Sequence, residues 1–482
     1  MRIRFVSVSL LAVSSAVFAQ NAADVAAPKS APEASALKNV VEGAGTKGGV
    51  GFDAGGDFRF RYEYKDNWMD KGKTSVNPAY EDYYRMRTRV WGKATFDEDA
   101  SAFMRLGNEF RGYRNSEANE HKNEFPDELY IDNLYFDFNN IGDRVDLRVG
   151  RQDIKEGAGR LISDGTPGDG SRSAYFDAIF AKVKMLEKSD VDLMATWNRY
   201  RDDWTLGNPH DIYDNTKIKS GDPYSKMDEK GLMAYAHYNE VPDFPMEFYW
   251  IWKQEERFYD KQSRYPGRDF HTLGTRLMPK LTDKLSAEVE AAVQLGRTDS
   301  QDGMQDRTIA AWMSYAGLTY AEKEAFGKPK LTGAVLYLSG DEDSYYKTTD
   351  GSTDTGWNPV FNRTTWFSEL CSGMYDQYRW SNLIYPHLEG SLEPYKKNIV
   401  KLQAGPMFAA ERDNGATDDY RGFYTQLRYD FPIVSKVFGK RGDLTGAVVG
   451  EALYYGDYYR HDTASVDEDA AYWLRFELNG KF

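Results

Sequence analysis

Cysteine is nearly absent from this chain, and so is any long run of apolar residues. The 482 residues contain one cysteine, Cys371, so no disulfide can form within the chain. After the N-terminal segment, no stretch approaches the roughly 20 consecutive apolar residues that a membrane-spanning helix needs. These two absences exclude a disulfide-stabilised scaffold and a bundle of transmembrane helices.

The sequence motifs that are typical of an enzyme or a metal site are also missing. The six histidines are scattered without zinc-ligand spacing, and no serine lies in a nucleophile elbow. The glycine-rich segment 155–163 lacks the strand and helix of a dinucleotide-binding loop. Acidic segments at 341–343, 350–354 and 413–415 have calcium-ligand chemistry but are typical of solvated loop tips. We therefore predict no cofactor and no metal, and keep a hydrolase as an alternative.

The overall charge is negative, and aromatic residues are plentiful. The chain carries 75 acidic and 61 basic residues, a net charge of −14, which argues against nucleic-acid binding. Aromatic residues make up 15% of the sequence, with 34 tyrosines, and this composition favours β-strands.

The N-terminus has the pattern of a secretory signal peptide. Basic residues Arg2 and Arg4 precede a short apolar run that ends in a small-residue cleavage site at Ala19. We predict a signal peptide over residues 1–19, with an uncleaved anchor as the alternative. Residues 20–50 are rich in Ala, Lys, Pro and Gly and predict a flexible periplasmic lead-in.

From residue 51 to residue 482, segments with a period of two follow one another. In DFRFRYEYK, residues 57–65, aromatic side chains alternate with charged ones, and about 18 such segments can be marked. Their connections alternate between long polar loops and short turns, which is typical of a membrane barrel. The last segment, AYWLRFELNGKF, ends in an aromatic residue, as the final strand of outer-membrane proteins does. We predict an all-β, antiparallel outer-membrane β-barrel of about 18 strands, surrounded by lipid.

One segment carries a row of like charges. In DYYRMRTRVWGKATF, Arg85, Arg87 and Arg89 occupy every second position, opposite a mostly apolar parity. In a barrel the apolar parity faces lipid, so the arginines face the lumen. The same parity on other strands adds further basic residues: Arg59, Arg61, Arg105, Arg111, Arg148, Arg428 and Arg475. Such a concentration of arginine in a confined pore favours the passage of anions.

A purely structural role for these arginines is the alternative. Carboxylates on the inward parity can pair with them and brace the wall without contacting any cargo. The candidates are Asp57, Glu63, Asp97, Glu109, Asp132, Asp146 and Glu477.

The segment 147–183 is more specific. A strand ending in Gly150-Arg151-Gln152 is followed by a glycine-rich loop with Arg160-Leu161-Ile162, then Arg172, and then by a returning Phe176-Asp177-Ala178. This arrangement resembles the alginate-export family of outer-membrane barrels. The resemblance implies a monomeric barrel of 18 strands that passes an anionic uronic-acid polymer, and it implies lumen roles for Arg85, Arg87, Arg89, Arg148, Arg151, Arg160 and Arg172. Residues 165–169 depart from the family pattern.

We therefore expect an outer-membrane channel for anionic saccharides or other organic anions. The alternatives are a general diffusion porin, a barrel hydrolase and a structural outer-membrane anchor. The apolar pair Leu161-Ile162 has little use in an external loop, so we also expect the loop at 152–173 to fold partly into the lumen.

Overall fold

The computed structural model describes most of the chain from residue 49 onward. The described ranges are 49–68, 79–116, 129–163, 175–199, 204–207, 227–259, 264–300, 306–342, 353–362, 366–372, 380–412, 416–437, 442–459 and 470–482. The predicted signal peptide, residues 20–48 of the predicted lead-in, and Arg172 lie outside these ranges.

Eighteen strands form one closed antiparallel sheet in the described part of the chain, as the sequence predicts. We number them β1 to β18 in chain order: Gly51–Trp68, Ala79–Thr95, Ala100–Ser116, Leu129–Ile141, Val145–Gln152, Phe176–Lys184, Asp190–Asn198, Glu229–Tyr238, Met246–Glu255, Arg268–Leu277, Leu285–Thr298, Arg307–Ala321, Lys330–Leu338, Leu383–Tyr395, Asn398–Phe408, Tyr420–Lys436, Gly442–Tyr455 and Ala470–Lys481.

Each strand pairs with its neighbour in sequence, and the first strand pairs with the last. In the closing pair, Asp57 lies opposite Lys481 and Asp66 opposite Tyr472. This pairing leaves the sheet without a free edge, which a barrel in lipid requires. No helix of the described residues is long and apolar enough to cross a membrane; the helix Glu369–Ser372 has four residues.

The pleat of the sheet separates apolar from polar side chains. On β2, Tyr84, Met86 and Val90 are exposed, whereas Arg85, Arg87 and Arg89 are buried. The same alternation on the other strands places large apolar side chains on the outer surface, including Leu273, Val293, Leu402, Leu427 and Leu474. Successive side chains of a strand point to opposite faces, so the buried arginines point into the barrel.

Two long connections fold into the barrel interior. One follows β5 and is described over residues 153–163; the other joins β13 to β14 and is described in part between residues 339 and 382. The two connections meet where Ile162–Ser163 pairs in parallel with Phe361–Asn362. Inward-facing side chains from strands around the barrel contact the second connection, so the barrel wall encloses it. Sequence analysis did not predict the inward fold of this second loop.

Candidate functional site

Eight inward-facing arginines gather on neighbouring strands around the seam where the barrel closes. Six carboxylates lie among them: Asp57, Glu63, Glu109, Asp132, Asp153 and Glu477. We call the arginines the arginine cluster: Arg59 and Arg61 on β1, Arg85, Arg87 and Arg89 on β2, Arg105 and Arg111 on β3, and Arg475 on β18. The eight arginines outnumber these six carboxylates, and the buried Glu81 lies on the same face of β2, opposite Lys65.

The register of the strands sets arginine directly opposite arginine. Arg59 faces Arg87 and Arg61 faces Arg85 across β1 and β2, and Arg85 also faces Arg111 across β2 and β3. Like charges directly opposite each other destabilise a strand pair. Three such contacts on adjoining strands show that the interior concentrates positive charge at this level of the barrel.

Carboxylates from the flanking strands offset this repulsion. Arg85 Nε donates to Glu109 Oε1 at 2.7 Å, and Arg89 Nη2 lies 2.9 Å from Asp57 Oδ2. Arg61 pairs with Glu477 across the seam. Of the seven carboxylates that sequence analysis offered as bracing partners, five bind these arginines, whereas the Asp97 and Asp146 side chains accept bonds from backbone N–H groups of Asp99 and Asn140.

Arg87 is held less firmly than its neighbours. Its ionic contact is Nη2 to Asp57 Oδ1 at 3.5 Å, and Asp57 is shared with Arg89. Its Nε has no hydrogen-bond partner among the described residues, although the side chain is 4% exposed. Arg87 therefore has a longer ionic contact than Arg85 and Arg89 have, and it shares its carboxylate.

Two predicted arginines lie outside the cluster, and each is paired with a carboxylate. Arg148 Nε donates to Asp137 Oδ1 at 2.6 Å, and Arg428 Nη2 lies 2.7 Å from Asp430 Oδ1. Arg111, within the cluster, lies over the Tyr83 ring at 5.7 Å. Arg148 and Arg428 each therefore have a carboxylate of their own, whereas Arg87 and Arg89 share Asp57.

The Gly150-Arg151-Gln152 segment has a geometric explanation. Gly150 adopts φ +128°, and a Cβ there would lie 2.2 Å from the Leu134 carbonyl oxygen, so glycine is required. Arg151 forms a two-pronged pair with Asp177 of the returning Phe-Asp-Ala segment, with Nε–Oδ1 at 2.8 Å and Nη2–Oδ2 at 3.0 Å. Its guanidinium also stacks on the Tyr175 ring at 3.5 Å. This motif fixes the start and the return of the loop.

The loop after β5 crosses the interior, as the sequence predicts for part of it. Arg160 Nη1 lies 2.6 Å from Glu288 Oε1 and 2.5 Å from Glu290 Oε2 on β11. Leu161 and Ile162 are buried, and Ile162 has no exposed surface. The apolar pair and one arginine therefore hold the described part of this loop against the far wall.

The second internal loop is held by side chains of the wall. Lys253 Nζ donates to the Val360 carbonyl at 2.5 Å, and Gln294 Nε2 donates to the Asn358 carbonyl at 2.8 Å. Glu451 accepts from Ser368 Oγ at 2.8 Å and from Leu370 N at 2.9 Å, and so caps the short helix. Cys371 of that helix is fully buried, and burial raises the pKa of its thiol.

The interior is more accessible near the short turns than at the arginine cluster. The side chains of Arg148 and Arg428 are 21% and 27% exposed, whereas those of Arg61 and Arg85 are 0% and 7% exposed. Arg61 and Arg85 of the cluster are therefore covered by neighbouring groups, whereas Arg148 and Arg428 are partly accessible.

Comparison with known proteins agrees with this architecture. The sequence model described as "Alginate export" matches residues 51–464, and no curated protein sequence matches the chain. OccAB1 of Acinetobacter baumannii is 11% identical, with 89% of this chain and 96% of that chain covered and a TM-score of 0.52. OpdK of Pseudomonas aeruginosa, solved with vanillate, is 9% identical, with 89% and 98% covered and a TM-score of 0.51. At these identities the likeness to the two solved structures shows a shared fold.

Proposed function

We propose that this chain, which belongs to the alginate export family of non-enzymatic channels, passes anionic saccharides or other organic anions. It does so as a monomeric barrel, and the arginine cluster sets the selectivity of the lumen. That it is an outer-membrane channel follows from the family and the closed 18-strand barrel. The nature of the cargo and the role of the arginines are our proposal. The observation that carries it is the set of arginines placed opposite arginines on β1, β2 and β3.

A wall that only needed bracing would alternate positive and negative side chains across each strand pair, because that arrangement has the lowest energy. Here three directly opposed pairs break that rule: Arg59–Arg87, Arg61–Arg85 and Arg85–Arg111. Proteins break local rules of this kind mainly at functional sites. The excess positive charge supports a role in attracting anions.

The paired carboxylates are compatible with transport. Conduction requires binding that is favourable enough for entry and weak enough for release. A cargo carboxylate that approaches Arg87 competes with Asp57, which already lies 3.5 Å away. Because one ionic contact replaces another, the net gain in free energy on binding is smaller than that of a new ion pair. The cargo then moves on to the next guanidinium, about 6.6 Å further along the strand.

The test is the substitution Arg87→Gln, which removes one positive charge. Its effect is measured as the reversal potential of single channels in a salt gradient. We expect the preference for anions over cations to fall, because one weakly paired positive charge is removed from the arginine cluster. Arg148→Gln is the matched control, since Arg148 is also inward-facing and paired, yet lies on β5 in the accessible region. Equal reversal potentials for the wild type and Arg87→Gln would overturn the proposal.

Passage of small organic anions in place of a polymer is favoured by one observation. Two internal loops, which meet at Ile162–Ser163 and Phe361–Asn362, lie in the interior. A polymer needs a continuous wide path, whereas a small anion can pass between the loops and the wall. Current block by uronic-acid oligomers of increasing length separates the two: a block that strengthens steadily with length supports a polymer, and a block limited to mono- and disaccharides supports small anions.

A further inference from the structure

Three potential metal ligands meet where the first internal loop touches the barrel wall. They are Glu156 of the loop, Asp192 on β7 and His237 on β8, and their ligand atoms all lie within 4.8 Å of one another. His237 Nε2 is 3.3 Å from Glu156 Oε2 and also 3.3 Å from Asp192 Oδ2. The three residues come from three separate elements, so only the folded barrel brings them together.

The distances agree with a shared central ion. Zinc binds imidazole nitrogen and carboxylate oxygen at about 2.0–2.2 Å, which places tetrahedral ligand atoms about 3.3 Å apart. A single hydrogen bond from a protonated imidazole is usually about 2.9–3.0 Å long, and one N–H hydrogen shared between two acceptors gives two longer contacts. The two distances of 3.3 Å from the same nitrogen are longer than one ordinary hydrogen bond and equal the edges of a zinc coordination tetrahedron.

The other ring nitrogen of His237 has the neighbour that a metal-bound histidine usually has. Its Nδ1 lies 3.7 Å from Glu247 Oε1 on β9. A histidine that binds a metal through one nitrogen commonly directs its other N–H towards a carboxylate, which fixes the ring orientation. Glu247 is itself held by Tyr235, whose hydroxyl donates to Oε2 at 2.6 Å, and by Arg276 Nη1 at 3.1 Å. The ring of Tyr235 also packs against that of His237, with centroids 4.9 Å apart.

The net charge of the groups around these three residues is negative, which favours a divalent cation. Two cations, Lys182 and Arg276, lie among four carboxylates: Glu156, Asp190, Asp192 and Glu247. With His237 neutral, the group carries two more negative than positive charges. Lys182 Nζ lies 2.9 Å from both Asp192 oxygens, donating to Oδ2, and 3.1 Å from Asp190 Oδ1. A metal on Asp192 Oδ2 therefore replaces one of these contacts and leaves those with Asp192 Oδ1 and Asp190 Oδ1.

We propose that Glu156, Asp192 and His237 form a binding site for a zinc-class divalent cation that ties the first internal loop to the barrel wall. The imidazole ligand favours zinc and similar transition metals, whereas calcium and magnesium prefer sites made of oxygen ligands alone. The ion joins Glu156 on the loop to two adjacent strands, β7 and β8. It therefore limits the movement of the loop relative to the wall.

The test is zinc binding to the full chain, purified in detergent without a polyhistidine tag and treated with a chelator. Zinc is titrated in competition with a chromophoric chelator at neutral pH. We expect one site in the wild type and a loss of affinity of at least about tenfold in His237→Gln and in Glu156→Gln. His387→Gln is the matched control, because His387 Nε2 faces a single carboxylate, Glu389, at 3.4 Å; its affinity should equal that of the wild type.

Thermal unfolding gives a second readout. A ligand that binds only the folded state raises its stability, so added zinc should raise the unfolding temperature of the wild type and of His387→Gln but not of Glu156→Gln. Glu156 lies in the loop and outside the strands, so its substitution leaves the barrel wall unchanged. Absence of zinc binding in the folded wild type, or unchanged binding in both Glu156→Gln and His237→Gln, would overturn the proposal.

Discussion

At the scale of single residues, the arginines of β2 differ in role although they repeat in sequence. Arg85 lies between two buried carboxylates, with Nε 2.7 Å from Glu109 Oε1 and Nη1 3.6 Å from Glu63 Oε1. Arg87 has one contact of 3.5 Å to Asp57. Spacing along a strand shows which face a side chain occupies but not which partner it finds on the neighbouring strands. The two arginines therefore look equivalent in the sequence and are distinct in the fold.

This difference predicts losses of stability of unequal size for two matched substitutions. Arg85→Gln should lower the free energy of unfolding by about 3–5 kcal/mol, because it leaves Glu63 and Glu109 buried without their shared cation. Arg87→Gln should lower it much less, since Asp57 keeps its contact with Arg89 at 2.9 Å. Urea unfolding in detergent, followed by the gel mobility of the folded barrel, measures both. Equal losses of stability would show that both arginines only brace the wall.

At the scale of elements, the strands and the inward fold of one loop could be predicted from sequence, whereas the contacts of the loops could not. Alternation repeats over each strand, and the segment DYYRMRTRVWGKATF shows it over most of β2. The contact of Arg160 with Glu290 joins residues 130 positions apart and leaves no local periodicity. Two apolar residues, Leu161 and Ile162, were enough to indicate the inward fold of the first loop. The second loop, around Trp357 and Phe361, shows no pattern that separates it from external loops.

The first internal loop gives a prediction at this scale. Deletion of residues 157–170 should raise single-channel conductance, because it removes Arg160, Leu161 and Ile162 from the interior. Arg160→Gln serves as the milder variant: it keeps the length of the loop but removes its contacts with Glu288 and Glu290, so we expect larger current fluctuations at nearly unchanged mean conductance. If a correctly folded deletion conducts as the wild type does, the loop does not limit the current.

At the scale of the whole molecule, net charge and local charge have opposite signs. The chain carries −14 in total, yet the eight arginines of the cluster outnumber the six carboxylates that lie among them. Distant acidic residues act on a passing ion only through screened fields, whereas the guanidinium groups act at contact distance. The total charge of the chain therefore does not determine which ions the channel prefers.

The dependence of ion selectivity on salt concentration tests whether local charge or total charge acts on the passing ions. The Debye length falls from about 10 Å at 0.1 M to about 3 Å at 1 M salt, so fields between successive arginines no longer overlap at the higher concentration. We expect the anion preference of the wild type to weaken as salt is raised at a constant concentration ratio across the membrane. Reversal potentials recorded at several mean concentrations measure it. A preference independent of salt would point to selection by pore size alone.

The pairing of the first strand with the last has a consequence for how the protein is made. Arg61 and Glu477 are 416 positions apart and meet only across that seam, and contacts so distant in sequence form late in folding. The arginine cluster spans the same seam, from β18 through β1 to β3. Until the C-terminal strand has been synthesised, exported and paired, Arg61 lacks this carboxylate and the wall has an open edge. The closure of the wall and the completion of the charged site therefore occur in the same step of assembly.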